Sequence, residues 1–358
     1  MDNIKCTKAY ENSYSLLQYA QIDFTGKCNN SCINCCGKFN HTGTEMPLDK
    51  AKEVLDVVLA GMNIQEIFIA CQAEFTLYSH CIDILDYLEN NFKSITVRQD
   101  TNGILIPEGF IERLNSLKNI RYDLSVSLWG GTEEDYLKFH RTNNLETVLN
   151  NIRRYLKEIV NPNVVFRFSV PYWDEDQFQS AISTIRSLCA EVGKEVHLTR
   201  SAKVSDVMPH NSVAKTVVVY TRCSFSDVTV PADYVDDYTG KLYTEIVKTV
   251  KDGVTTETEQ KRLVTCKDWD GIRKPILSGN NCIYLNRMLL IRVDGGVASC
   301  LGATNYKEHD LGNIFDQPVT VDWFKKIYTS EKRKRQCELN ATTGAFEACR
   351  RCVSRICY

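Results

Sequence analysis

Apolar runs alternate with amphipathic stretches from Leu16 to Arg200, with a repeat of roughly thirty residues that is typical of βα units. Short apolar runs bounded by turn residues predict buried strands, whereas apolar positions three and four residues apart predict amphipathic helices. The predicted strands are Leu16–Phe24, Glu66–Cys71, Ser94–Arg98, Arg121–Leu128, Val164–Val170 and Glu195–Thr199. The predicted helices are Leu48–Leu59, His80–Phe92, one that starts near Pro107, Leu145–Val160 and Gln177–Cys189.

These six units predict an α/β fold built on a parallel sheet. Strands that are separated by helices run parallel and are joined by right-handed crossovers. In such folds the functional loops leave the carboxyl ends of the strands. The predicted strand Glu195–Thr199 closes the series, and the sequence places the candidate chemistry at one edge of the sheet.

The alternation of predicted strands and helices stops between residues 201 and 280. Val217–Tyr220, Asp227–Val230 and Val254–Val264 have the composition of short strands, and charged or glycine-containing turns join them. This segment is interpreted as a bridge or insertion with hairpin character.

Composition and charge exclude several classes of function. The chain has 43 basic and 45 acidic residues, so no excess of positive charge indicates nucleic acid or an anionic membrane as a partner. It shows no apolar signal region and no apolar run of membrane-spanning length, which predicts a cytoplasmic protein. Sixteen cysteines in such a chain indicate metal ligands in a reducing compartment rather than disulfides.

Cys28, Cys32 and Cys35 follow the first predicted strand with the spacing C-x3-C-x2-C. Three thiolates this close can hold a [4Fe–4S] cluster and leave one iron without a protein ligand. A zinc site usually needs four ligands, and the nearest histidine is His41. Three cysteines packed as small apolar side chains do not fit a segment so rich in Asn and Ser. The motif therefore predicts an iron–sulfur cluster with an open iron at the carboxyl edge of the sheet.

A second cysteine-rich region runs from Cys282 to Cys357 and contains a hairpin signal at Asp294-Gly295-Gly296. Four of its cysteines have spacings that suit a closed [4Fe–4S] site or, equally, a structural zinc ion. These candidate ligands are Cys282, Cys300, Cys349 and Cys352. Cys337 and Cys357 leave a second cluster as an alternative.

The C-x3-C-x2-C motif resembles the signature of the radical S-adenosylmethionine (radical SAM) enzymes, and the second region resembles the auxiliary-cluster modules called twitch and SPASM. The resemblance implies a partial (β/α)6 TIM-like barrel followed by a small α+β cysteine-rich auxiliary-cluster domain. It also implies two [4Fe–4S] clusters, S-adenosylmethionine (SAM) and an electron donor of the flavodoxin or ferredoxin type. The domains it implies are an amino-terminal extension (1–15), a radical SAM core (16–200), the bridge (201–280) and the auxiliary-cluster module (281–358).

The resemblance also assigns candidate SAM contacts. The family has Gly-Gly-Glu-Pro after the second strand, where the carboxylate meets the SAM amino group, and this chain has Gln72-Ala73-Glu74-Phe75. Asn102 lies in a Thr-Asn-Gly sequence that matches the family, and Ser127 and Arg141 are candidates for the SAM carboxylate. A turn residue, a strand hydroxyl and a solvated arginine are the alternative interpretations of these three. The family favours an aromatic residue where this chain has Asn34.

By resemblance, the chain forms a 5′-deoxyadenosyl radical that removes a hydrogen atom from its substrate. The first hypothesis is dehydrogenation or epimerisation of a small hydroxylated molecule such as a sugar, an aminocyclitol or a nucleotide-linked sugar. The segment Ser127–Thr132, followed by Tyr136, resembles the corresponding segment of relatives in carbohydrate pathways. Cys223 is the candidate hydrogen-atom donor for an epimerase and Cys266 a second one, with a buried apolar role as the alternative for both.

Two other hypotheses remain open at the level of sequence. One is a maturase or epimerase that modifies a ribosomally synthesised peptide. The other is a non-catalytic iron–sulfur or zinc scaffold, which reductive cleavage of SAM would exclude.

Overall fold

The computed structural model describes residues 17–32, 35, 41–69, 72–171, 175–199, 216–222, 241–251, 254–264, 288–299, 307 and 310–342. The predicted strand Asp227–Val230 lies outside these residues, as does Asn34. The predicted site cysteines that also lie outside them are Cys223, Cys266, Cys282, Cys300, Cys349, Cys352 and Cys357.

The described strands and helices follow the predicted alternation closely. The strands are β1 (Tyr19–Ile22), β2 (Glu66–Phe68), β3 (Thr96–Thr101), β4 (Arg121–Ser127), β5 (Val164–Pro171), β6 (Glu195–Thr199), β7 (Thr216–Arg222), β8 (Lys241–Lys251), β9 (Val254–Val264), β10 (Met288–Ile291), β11 (Gly296–Ala298) and β12 (Gly312–Asn313). The helices are α1 (Leu48–Leu55), α2 (Cys81–Asn91), α3 (Phe110–Ser116), α4 (Glu133–His140), α5 (Leu145–Glu158), α6 (Glu175–Ala190), α7 (Val321–Tyr328) and α8 (Glu331–Thr342). A π-helical turn, Asp56–Gly61, extends α1, and a 3₁₀ turn, Phe75–Leu77, precedes α2.

Ten of these strands form one sheet in the order β12-β11-β10-β1-β2-β3-β4-β5-β7-β6. Neighbours from β10 through β1 to β6 are parallel, and helices connect β2 to β3, β3 to β4, β4 to β5 and β5 to β6. The predicted α/β class with a partial barrel is therefore confirmed. β8 and β9 form a separate antiparallel hairpin within the segment interpreted as a bridge.

The order of the last strands in the sheet departs from their order in the sequence. Glu195–Thr199 (β6) forms a strand at the edge of the sheet, as predicted, but β7, from the segment interpreted as a bridge, lies between β5 and β6 and is parallel to both. The physical reason is visible in the two sequences. Thr216–Arg222 contains a run of β-branched and aromatic residues that suits a central strand, whereas Glu195–Thr199 alternates polar and apolar residues and suits an edge.

The two faces of the sheet differ in polarity. Leu124 and Val126 of β4 belong to the hydrophobic core, and the ring of Tyr155 in α5 lies 5.6 Å from that of Phe166 in β5. Helices therefore cover this face, and burial of its apolar side chains favours folding. The alternate positions of the same strands face the inside of the partial barrel, and many of them are polar.

An ion cluster lies on this inner face. The Arg98 Nε atom is 2.7 Å from the Glu66 carboxylate and 3.7 Å from that of Asp123, and its guanidinium lies over the ring of Phe68. Arg98 pairs in register with both Phe68 and Asp123, which confirms that these side chains share one face. The inside of the barrel is therefore polar and charged.

The carboxyl-terminal strands extend the sheet beyond β1. The predicted hairpin at Asp294–Gly296 is confirmed, because β10 and β11 are antiparallel neighbours and Gly295 has a φ of +82°. Arg292 is buried beside this turn, where its guanidinium forms a two-pronged ion pair with Asp310 and a further bond with Asp294. These charged bonds hold the turn against the chain that leads into β12.

Within the described residues, every helix is too short or too polar to cross a lipid bilayer.

Candidate active site

The loop that carries the three cysteines leaves the carboxyl end of β1, as the sequence predicts. Backbone hydrogen bonds join it to neighbouring segments: Gly26 donates to Thr44, and Glu74 donates to Lys27 with an N···O distance of 2.9 Å. The side chains of Cys28, Cys32 and Cys35 are all half-buried. The loop is thus held at the edge of the sheet where parallel α/β folds carry their functional groups.

Each of the three sulfur atoms lies near a side-chain nitrogen. The Cys28 Sγ atom is 3.9 Å from Asn102 Nδ2, the Cys32 Sγ atom is 3.2 Å from His140 Nδ1, and the Cys35 Sγ atom is 3.7 Å from His41 Nε2. N–H groups around cysteine sulfurs suit thiolate ligands of an iron–sulfur cluster. Among the described residues, no group of three or more His, Cys, Asp or Glu side chains is arranged to share a single metal ion.

Burial raises the pKa of the Cys28 thiol to about 11, although a hydrogen bond with the Asn30 backbone opposes this shift. Such a thiol stays protonated at neutral pH unless a positively charged group binds it. The charge of a bound iron centre supplies that stabilisation, because metal ligation favours the deprotonated sulfur. The donor set and the burial of the loop therefore fit a [4Fe–4S] cluster held by these cysteines.

Glu74 is buried and connects the loops that follow β2 and β3. Its carboxylate accepts hydrogen bonds from the backbone and hydroxyl of Thr76, from the hydroxyl of Thr101 and from the backbone N–H of Asn102. Burial raises the pKa of this carboxyl, and the four donors oppose that shift. Because these donors surround the carboxylate, its position relative to the cysteine loop is well defined.

Asn102 links the same network to the cysteine loop. Its amide donates to Asn29 Oδ1 at 2.7 Å, and its carbonyl oxygen accepts from the backbone N–H of Ile104. The structure thus brings the predicted residues Glu74, Asn102 and Cys28 together, although they follow three different strands.

His140 is a residue of the site that the sequence did not indicate. It ends α4, is buried, and lies against the cysteine loop, where its backbone carbonyl accepts from the N–H of Ser31. Burial lowers the pKa of its imidazole to about 3, so the ring is neutral over the usual pH range. A lone histidine in a short helix carries no sequence signal of such a contact.

Ser127 and Arg141 are the two remaining candidates for SAM contacts. Ser127 ends β4 and pairs in register with Ser169 of β5, at the carboxyl edge of the sheet. Arg141 follows α4 with an exposed side chain and a φ of +58°. The next residue, Thr142, donates a hydroxyl hydrogen bond to Asn30 in the cysteine loop, so Arg141 is held close to the loop by both neighbours.

Comparison with family models decides the identity of this site. A model of the radical SAM superfamily matches residues 22–185, and a model of the SPASM iron–sulfur cluster-binding domain matches residues 282–353. The chain therefore contains a radical SAM domain and a SPASM domain. No curated relative matches it by sequence.

Several solved structures share the radical SAM fold of this chain. SuiB of Streptococcus suis bound to the precursor peptide SuiA has 12% sequence identity and a TM-score of 0.57, covering 97% of this chain and 79% of that chain. SuiB bound to SAM has 13% identity, 97% and 78% coverage, and a TM-score of 0.55. The enzyme anSMEcpe with bound SAM and a peptide has 15% identity, 95% and 87% coverage, and a TM-score of 0.51. At these identities the likeness is one of fold.

As a radical SAM protein with a SPASM domain, the chain uses [4Fe–4S] clusters and SAM. We propose Cys28, Cys32 and Cys35 as the ligands of the cluster that binds SAM. Glu74 is the candidate partner of the SAM amino group, because its buried carboxylate lies one hydrogen bond from the residue that contacts the Cys28 sulfur.

We expect the Glu74→Gln variant to bind SAM at least about tenfold more weakly, because a hydrogen bond to a charged group contributes about 1.5–3 kcal/mol. An amide is similar in shape to the carboxylate, and its oxygen can still accept from Thr76 and Thr101, so only the bond from the Asn102 N–H is lost and we expect the fold to be retained. Anaerobic titration of the reconstituted protein with SAM measures the affinity.

Glu89→Gln is the matched control for this variant. Glu89 is also a buried carboxylate, and it accepts backbone hydrogen bonds from Lys118, Asn119 and Ile120, away from the cysteine loop. This control is expected to leave SAM affinity unchanged. Unchanged affinity in Glu74→Gln as well would mean that Glu74 only supports the loops.

Proposed function

We propose that this radical SAM enzyme dehydrogenates or epimerises a small hydroxylated substrate such as a sugar, an aminocyclitol or a nucleotide-linked sugar. When bound, the cluster and SAM supply a 5′-deoxyadenosyl radical that removes a hydrogen atom from a C–H bond. The chain's own residues hold that C–H bond in place and exclude water from the site.

The observation that carries this proposal is a set of polar atoms on the inner face of the sheet. Asp123 and Ser125 of β4 and Ser169 of β5 are buried, with exposed fractions of 2%, 1% and 1%. One oxygen of each, Asp123 Oδ1, Ser125 Oγ and Ser169 Oγ, has no hydrogen-bond partner among the described residues. A buried polar group without a partner destabilises a protein by about 1–3 kcal/mol.

A polyhydroxylated substrate would supply hydrogen bonds to these three buried oxygen atoms. Serine hydroxyls both donate and accept hydrogen bonds, as sugar hydroxyls do, and the carboxylate of Asp123 accepts from a hydroxyl or an ammonium group. Ser125 lies two positions before Ser127 on β4, so it faces the same side at a deeper level of the barrel. A substrate held there lies below the edge that carries the cysteine loop.

The position of β7 supports Cys223 as the hydrogen-atom donor of an epimerase. β7 is parallel to β5, and its last residue, Arg222, pairs with Pro171 at the carboxyl edge of the sheet. The chain therefore leaves β7 at the edge that carries the cysteine loop, immediately before Cys223. In a dehydrogenation, the auxiliary cluster would instead accept the electron that the substrate radical loses.

An anaerobic assay in deuterated water tests the proposal with sugars and aminocyclitols as substrates. Gain of one deuterium indicates epimerisation with an exchangeable donor, and Cys223→Ala should then cleave SAM without releasing the epimer. Loss of two mass units without deuterium indicates dehydrogenation. The double variant Ser125→Ala, Ser169→Ala is expected to raise KM about tenfold. An unchanged KM would contradict the proposal that the inner face of the sheet binds the substrate.

A peptide substrate is the second candidate function. It is favoured by the fold shared with SuiB and anSMEcpe, both of which are described with bound peptides. A mass change in a precursor peptide, with no change in any small hydroxylated molecule, would establish this function in place of the first.

We expect the variant Cys349→Ala, Cys352→Ala to lose about four iron atoms per chain, the content of one [4Fe–4S] cluster. The assignment rests on the match of the SPASM model to residues 282–353. Iron analysis of the reconstituted protein measures the loss. Unchanged iron, or zinc in its place, would contradict the assignment of these two ligands.

A further inference from the structure

The imidazole of His140 is held between aromatic rings beside the cysteine loop. It stacks on Tyr136 with ring centroids 4.2 Å apart, and the ring of Trp129 lies 5.3 Å away on a tilted plane. The side chain is fully buried. Packing therefore fixes the direction in which each of its ring nitrogens points.

The contacts of the two nitrogens indicate the tautomer. The backbone N–H of Trp129 lies 3.3 Å from His140 Nε2, and a backbone N–H can only donate, so Nε2 carries the lone pair. In a neutral imidazole the proton then resides on Nδ1. The Cys32 Sγ atom lies 3.2 Å from Nδ1.

Asn30 is the other neighbour of Nδ1, at an N···N distance of 3.0 Å. Its side-chain oxygen accepts from the backbone N–H of Ser31 and from the hydroxyl of Thr142, which turns its amide nitrogen toward the imidazole. An amide nitrogen does not accept hydrogen bonds, so an Nδ1–H group has the sulfur as its acceptor and lies against the amide of Asn30 as a second donor. In the competing tautomer, Nδ1 accepts from Asn30 and the Nε2–H group opposes the N–H of Trp129.

We propose that His140 donates a hydrogen bond from Nδ1 to the sulfur of Cys32 and thereby raises the reduction potential of the cluster that this cysteine holds. This proposal rests on the assignment of Cys32 as a ligand. An N–H group directed at a ligand sulfur stabilises negative charge, and the reduced cluster carries one more negative charge than the oxidised one. His140 is thus a positioning residue that favours entry of the electron.

The test compares His140→Leu with His140→Asn, whose amide nitrogen is placed close to the position of Nδ1. In each reconstituted protein, redox titration follows the EPR signal that changes when SAM is added, because that signal belongs to the cluster with the open iron. We expect His140→Leu to lower the ratio of reduced to oxidised cluster at a fixed potential about tenfold, a shift of about 59 mV for one electron. His140→Asn should recover most of this shift.

Tyr136→Phe is the matched control, because it keeps the ring that stacks on His140 and places no donor on the sulfur. Its midpoint potential should equal that of the wild-type protein. A wild-type potential in His140→Leu would overturn the proposal and favour the competing tautomer.

If His140→Leu does not fold, a comparison of two other variants tests the proposal. His140→Gln places its amide near the position of Nε2, so equal potentials in the Asn and Gln variants would also overturn the proposal. The cysteine assignment fails separately, if the SAM-sensitive signal persists after Cys32 is replaced.

Discussion

Replacement of Cys28, Cys32 and Cys35 together by alanine is expected to abolish the reductive cleavage of SAM to 5′-deoxyadenosine and methionine. The three sulfurs lie on one loop, each close to a side-chain nitrogen. Without these ligands the cluster that binds SAM has no attachment to the protein. Anaerobic assay with a strong reductant and chromatography of 5′-deoxyadenosine measures the loss.

Bound iron should fall by about four atoms per chain in the same variant, while the auxiliary cluster remains. The matched control replaces Cys81 and Cys189, which are buried in the hydrophobic core. Burial raises the pKa of both thiols to about 11, so they stay protonated at neutral pH. The control protein should keep its SAM cleavage. Continued formation of 5′-deoxyadenosine by the triple variant would disprove the ligand assignment.

Replacement of Asp310 by alanine is expected to lower the free energy of unfolding by about 3 kcal/mol. The guanidinium of Arg292 is buried, and Asp310 holds two of its nitrogens. Removal of one partner of a buried ion pair leaves a charge without full compensation, and Asp294 provides only part of it. Chemical denaturation monitored by circular dichroism measures the change.

The double variant Arg292→Met, Asp310→Ala serves as the control for this prediction. It removes the buried charge together with its partner, so it should be more stable than Asp310→Ala alone. A double variant no more stable than Asp310→Ala would show that the cost comes from lost packing rather than from the charge.

Several strands were predictable because short stretches of apolar, β-branched or alternating residues lie between polar turns. Val254–Val264 and Glu195–Thr199 have the predicted bounds, and the hairpin at Asp294–Gly296 follows from its turn residues. The insertion of β7 between β5 and β6 was not predictable, because a local pattern contains no information on which strand becomes the neighbour of which.

The site was predictable only where its residues form a local motif. The three cysteines lie within one short segment, and Glu74 follows a strand in a position that matches the family. The contact between His140 and Cys32 joins residues 108 positions apart on a helix that the pattern did not indicate. The donors to Glu74 come likewise from Thr76 after β2 and from Thr101 at the end of β3, so only the folded chain brings them together.

The parallel pairing of β1 with β10 has a consequence for synthesis in the cell. Tyr19 pairs with Met288, so one edge of β1 has no neighbour until most of the chain has left the ribosome. At about 5–20 residues per second, this interval is on the order of ten seconds or more. An unpaired strand edge is a template for aggregation, and pairings between distant segments form slowly. Slower growth at low temperature or binding of a chaperone to the nascent chain should therefore increase the yield of folded protein.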